Sequence, residues 1–119
     1  GIKFKNEASS NLHDHFGDMS PVHSLNNLAV VVWAFLSFQD TFDEAIGETI
    51  CCGWDTDCTG ATVGGLIGLD KGSIPNSWTD PWQGKVQTAI AGVGELNLND
   101  LIKRTCVLVE KFSSAPELS

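Results

Sequence analysis

With 119 residues the chain can close one modest hydrophobic core, and its 42% hydrophobic content supplies the material for it. A formal charge of −8, from 15 acidic against 7 basic residues, excludes the clustered Lys and Arg on which nucleic-acid affinity depends. No apolar run is long enough and free enough of glycine to cross a bilayer.

Residues 1–20 sustain no hydrophobic period and are expected as an extended or mobile arm, linking to a missing N-terminal part, while residues 21–119 form a helical body. His13, Asp14, His15 and Asp18 in the arm are ordinary metal-ligand types. The plainer reading is a polar segment near a terminus with solvated histidines. The chain opens on Gly1 rather than methionine and shows no secretory leader, the pattern of a processed or excised piece.

Pro21 ends the arm. From Ser24 to Phe38 the chain is apolar on nearly every face, with Leu25, Leu28, Ala29, Val32, Phe35 and Leu36 as its helical stripe, which predicts a central helix. The valines at 30, 31 and 32 leave a strand as the rival, and the length favours helix. His23, Asn26 and Asn27 at its start could hydrogen-bond a ligand; equally, Ser24 or Asn26 could cap the helix. A capping box, Thr41 to Glu44, opens the next helix. Phe42, Ala45, Ile46, Thr49 and Ile50 should be buried, with Asp43, Glu44 and Glu48 facing water. Gly53 is expected as a left-handed residue ending it.

Gly53-Trp54-Asp55-Thr56-Asp57-Cys58-Thr59-Gly60 then makes a tight joint between two helices. Asp55 and Asp57 offer the hard oxygen ligands that Mg²⁺ or Ca²⁺ takes. Asp57 could also simply cap the helix that follows. Trp54 either packs beneath the joint or lines a cleft. Gly60, Gly64, Gly68 and Gly72 recur every fourth residue, so they share one face. Each interior helical glycine costs roughly 1 kcal/mol relative to alanine, and close backbone packing against a neighbouring helix is the expected compensation.

Lys71-Gly72-Ser73-Ile74-Pro75 is a stop signal. Trp78 and Trp82 read as packed surface. Asp80-Pro81-Trp82-Gln83 has the order of an N-cap, a first-turn proline and a capping glutamine, predicting a short helix to about Ile90, broken by Gly92 and Gly94. Asn99 should cap the last helix, striped by Leu98, Leu101, Ile102, Thr105, Leu108, Val109 and Phe112. Ser113 to Ser119 reads as a frayed tail. Cys51, Cys52, Cys58 and Cys106 show no CxxC spacing. Buried free thiols in a reducing cytoplasm are expected, with zinc held by Cys52, Cys58 and a histidine as the rival.

Gly53 through Gly68 resembles the second metal-binding motif of the ADP-ribosylglycohydrolase family. The flanks His23 to Ala29 and Ile74 to Trp78 resemble those of some bacterial members, and residues 91–105 resemble the family's C-terminal end; the likeness runs from about residue 20 to about 106. It implies an all-α fold, an irregular, orthogonal helical bundle, of which this chain is the C-terminal portion. It also implies a two-magnesium site at the bottom of a cleft and cleavage of ADP-ribose from a side chain or related acceptor. Asp55 and Asp57 would be metal ligands, with Cys58 where many members place a threonine ligand. His23, Asn26, Gly53 and Trp54 would meet the substrate. The threonine-aspartate-aspartate motif and further carboxylates of the family's N-terminal half do not occur here, so the catalytic acid or base stays unassigned. The substrate implied is an ADP-ribosylated protein or a small ADP-ribose conjugate, and surface left bare by the missing half predicts self-association. The other expectation is a non-catalytic helical domain that keeps the fold, as the jellyfish lens crystallins of this family resemble.

Overall fold

Helices dominate the computed structural model, which describes residues 2–113, with side chains from residue 7 onward. The described residues divide into two compact units, Gly1–Ile74 and Pro75–Ser119.

The first unit holds four helices: α1 (Ile2–Phe16), α2 (Ser24–Phe38), α3 (Phe42–Cys51) and α4 (Thr56–Lys71). The expected extended arm is therefore mostly helix α1. It is polar on average, so no hydrophobic run reveals it, and it packs against α2. Helices α2, α3 and α4 pack on one another. Their core is Val30, Val31, Ala34, Ala45, Cys52, Val63 and Ile67, bordered by Trp33, Phe35, Phe38, Phe42 and Ile46.

Helix α2 buries a different face from the one its stripe suggested. Asn26, Val30, Val31 and Ala34 are enclosed, whereas Leu25, Leu28, Val32 and Leu36 are exposed. When every face is apolar, periodicity cannot choose between faces; here the smaller residues lie inward, where three helices converge. Helix α3 follows expectation more closely. Ala45 and Thr49 are buried, with Phe42 and Ile46 half-buried, though Ile50 is exposed. Thr41 stands at its N-cap, but the hydroxyl donates to the Glu44 carboxylate (3.1 Å) and caps no backbone N–H, so the capping box is incomplete.

The glycine face of α4 lies where close packing requires it. A Cβ at Gly60 would stand 2.9 Å from Ile50 Cδ1, and one at Gly64 would stand 3.3 Å from Ile46 Cδ1. Gly68 faces Ile74 (3.1 Å to Cγ2), whereas Gly65 looks into open space. Gly72 ends the helix in the left-handed region, as the stop signal predicts.

The second unit begins with α5 (Asn76–Thr79) and a 3₁₀ turn, Asp80–Trp82. The helix expected to reach Ile90 is absent. Gln83 (φ +50°) and Gly84 (φ +69°) instead turn the chain into a hairpin. Strands β1 (Lys85–Gln87) and β2 (Glu95–Asn97) pair antiparallel, with Val86 opposite Leu96. Lys85 and Gln87 both reach Glu95 (3.0 Å each), polar contacts on the face opposite Val86 and Leu96. Trp78 is half-buried and Trp82 is 53% exposed. Helix α6 (Leu98–Ser113) is capped by Asn97 rather than Asn99: Asn97 Oδ1 accepts from the N–H groups of Asn99 (2.9 Å) and Asp100 (3.4 Å). No residue of α6 is buried. The rest of the expected C-terminal tail, 114–119, lies outside the described residues.

Candidate metal centre

The joint between α3 and α4 is built from two residues with positive φ. Gly53 (φ +77°) takes the left-handed conformation expected of it, and Trp54 (φ +58°) continues in the same region, where a side chain carries strain. This reversal brings Asp55 to the N-cap position of α4 and places Asp57 in its first turn. The Asp55 side chain does not cap the helix. Its backbone carbonyl accepts the first intrahelical bond, from the Thr59 N–H, and also the Thr59 hydroxyl, at 3.0 Å each.

The carboxylate oxygens of Asp55 and Asp57 and the Sγ of Cys58 lie within 4.8 Å of one another, the one such group of His, Cys, Asp and Glu among the described residues. His13, Asp14, His15 and Asp18 do not form a second, and neither do Cys52 and Cys58 with a histidine. Asp55 is half-buried, while Asp57 and Cys58 are exposed. The adjacent Asp55 carboxyl group, together with the backbone N–H groups of Asp57 and Cys58, holds Asp57 below its ordinary carboxylate value. The Cys58 thiol is pushed above its ordinary value by its hydrogen bond to Asp55 and by that residue's negative charge. A thiol held protonated beside two carboxylates makes an oxygen donor set with a soft neighbour. It suits a hard divalent cation bound through the aspartates, with water completing the shell.

Two residues from elsewhere in the chain fix this joint. Asn27, on the first turn of α2, accepts the Asp55 N–H through Oδ1 (3.2 Å) and donates through Nδ2 to the carbonyls of Pro21 and His23 (2.8 Å each). On the other side, His13 of α1 stacks on Trp54 with ring centroids 4.1 Å apart and donates from Nε2 to the Cys52 carbonyl at 2.7 Å. A shallow concavity of about 330 Å³ adjoins the cluster, lined by Ser24, Asn27, Leu28, Cys58 and Thr62 among others.

The expected substrate-contacting residues are placed unevenly. Gly53 and Trp54 form the joint itself. His23 is exposed and caps α2, its Nδ1 accepting from the Leu25 N–H (3.1 Å), a role expected of Ser24 or Asn26. Asn26 is fully enclosed, donating to the Ser20 carbonyl (3.2 Å) and accepting the Asn27 N–H (3.0 Å). Of the adjacent pair, Asn27 is thus the residue that reaches the acidic joint. The cysteines are all free, but only Cys52 is buried, against the expectation that all four would be.

Fold and site together define a helical protein with an acidic joint at the start of one helix, braced by two neighbouring helices. A family model described as ADP-ribosylglycohydrolase matches residues 4–112, and the chain belongs to that family, whose members are hydrolases of ADP-ribose linkages. The match begins within α1, upstream of residue 20 where the motif resemblance starts. No curated protein and no solved structure matches the chain.

Proposed function

We propose that the chain is the C-terminal portion of a magnesium-dependent hydrolase that cleaves N- or O-glycosidic ADP-ribosyl linkages and is inactive on its own. The convergence of Asp55, Asp57 and Cys58 within 4.8 Å carries the reading. Asp55 and Asp57 would hold Mg²⁺, and Cys58 would border the site as a neutral thiol. A cation held there would supply Lewis-acid chemistry, orienting ribose oxygens and lowering the pKa of a bound water. Asp57, with its lowered proton affinity, stays ionised throughout the physiological range. Asn27 fixes the backbone of the joint, and His23, Gly53 and Trp54 meet the substrate, while enclosed Asn26 supports the loop from within. The substrate is an ADP-ribosylated protein or a small ADP-ribose conjugate. The net charge of −8 supports a partner other than nucleic acid, and unpaired cysteines support a reducing, cytoplasmic setting. Among the described residues no helix is long and apolar enough to cross a membrane. Leu25, Leu28, Val32 and Leu36 on the exposed side of α2 support self-association of the isolated chain.

A second reading, a non-catalytic helical domain of the same fold, is favoured by one observation: Asp57 already accepts backbone N–H groups. Calorimetric titration with Mn²⁺ and Mg²⁺ separates the two. Two carboxylates leave most of the shell to water, so binding in about the millimolar range is expected, abolished by Asp55→Asn with Asp57→Asn. A flat wild-type titration would leave the structural reading standing.

A further inference from the structure

Helix α1 reaches the acidic joint through His13, and that contact falls on the joint's most strained residue. A tryptophan at φ +58° persists only where its surroundings hold it. Helices α3 and α4 are held together by packing, so any relaxation of Trp54 toward ordinary backbone angles has to be absorbed between Gly53 and Asp55, which shifts the first carboxylate relative to Asp57 in the first turn of α4. From the α2 side the joint is tied by Asn27 to the Asp55 N–H. From the α1 side, His13 covers the Trp54 ring at 4.1 Å and donates to the Cys52 carbonyl. That carbonyl belongs to the residue capping α3, so a single imidazole bridges the end of one helix and the turn leading into the next. A carbonyl can only accept, which places a proton on Nε2.

We infer that His13 is a positioning residue for the acidic joint, latching α1 onto Trp54 and Cys52 so that Asp55 and Asp57 stay convergent. The inference rests on the cation-binding reading and adds a residue to it from outside the joint. The His13 ring is exposed on α1 and is no part of the buried core, although its hydrogen bond reaches the backbone of the core residue Cys52. Its removal should therefore alter the site before it alters the fold.

The test measures Mn²⁺ affinity by the electron paramagnetic resonance of free Mn²⁺, alongside thermal melting, for wild type, His13→Ala, His13→Gln and Asp55→Asn with Asp57→Asn. Glutamine keeps a donor for the Cys52 carbonyl and loses the imidazole ring. Expected are at least fivefold weaker binding by His13→Ala at an unchanged melting temperature, and recovery to within about twofold of wild type by His13→Gln. Binding by His13→Ala within twofold of wild type overturns the inference and leaves the cation reading intact. So does equal weakening in both variants that tracks a lowered melting temperature. Should His13→Ala not fold, His13→Gln decides, and weakening beyond twofold there overturns the proposal. Wild-type protein with no affinity that the double aspartate variant removes overturns the cation reading, and the inference with it.

Discussion

Adding a single methyl group at Gly60 and at Gly65 separates helix propensity from helix packing within α4. Both glycines are helical and five residues apart, so alanine brings each the same intrinsic gain of about 1 kcal/mol. Their surroundings differ. A Cβ at Gly65 meets nothing within 4 Å, whereas at Gly60 it meets Ile50 Cδ1 at 2.9 Å, short of ordinary carbon contact by about 0.6–1 Å. Ile50 is 43% exposed, and the clash falls on the tip of its side chain, so it can yield by leaving its preferred rotamer. That movement costs about 0.5–1.5 kcal/mol, which cancels most of the gain. Gly65→Ala should therefore stabilise by about 1 kcal/mol and raise the melting temperature by about 4–8 °C, while Gly60→Ala stays near wild type. Urea denaturation followed by far-ultraviolet circular dichroism reads both. Equal stabilisation would refute the close approach of α3 to α4, and destabilisation at position 65 would refute the open face.

Ile67 is 2% exposed in the centre of the first unit, so Ile67→Ala should cost about 2–5 kcal/mol in urea denaturation, a large share of a small domain's total. Asn27→Ala strips the acceptor from the Asp55 N–H and the donor from two carbonyls; a loss of about 1–3 kcal/mol is expected by the same measurement. Alkylation followed by peptide mass spectrometry at pH 8 should find buried Cys52 slowest, and Cys58 slower than Cys51 and Cys106, because the Asp55 hydrogen bond and charge push the Cys58 thiol up. Burial also raises Cys52 above 9.0, with the Glu48 charge adding to it and a Ser9 hydrogen bond opposing it. The folded state thus holds that proton more tightly than the unfolded one. Its contribution is complete below pH 9.0 and lost as pH rises through the folded value, so wild-type melting should fall above pH 9 more steeply than that of Cys52→Ala.

What the sequence carried about the fold was local. Thr56 through Lys71 announces a helix by its glycine spacing and its Gly72 stop, and both hold in the structure. Asp80-Pro81-Trp82 announces a helix start equally clearly, yet the turn closes after three residues. Gln83 and Gly84 take positive φ, and Val86 pairs across to Leu96. A cap signal says where a helix can begin; whether it continues depends on partners further along the chain. Helix α1 failed for the opposite reason, being too polar on average to announce itself.

The acidic joint divides along the same line. Asp55 and Asp57 stand out in the sequence as two carboxylates one residue apart at a helix start, and because Asp55 is the non-helical N-cap their oxygens lie together with the Cys58 Sγ within 4.8 Å. Their braces do not stand out. Asn27 reaches Asp55 across 28 positions and His13 reaches Cys52 across 39, and no local pattern distinguishes Asn27 from Asn26 beside it. One faces the joint and the other the core because α2 buries its Asn26, Val30, Ala34 face, the face its uniform hydrophobicity left undecided. The identity of the residue supporting the acidic joint is therefore settled by how the apolar helix rolls against α3 and α4, and a substitution that rolled it by one position would carry Asn27 off the Asp55 N–H.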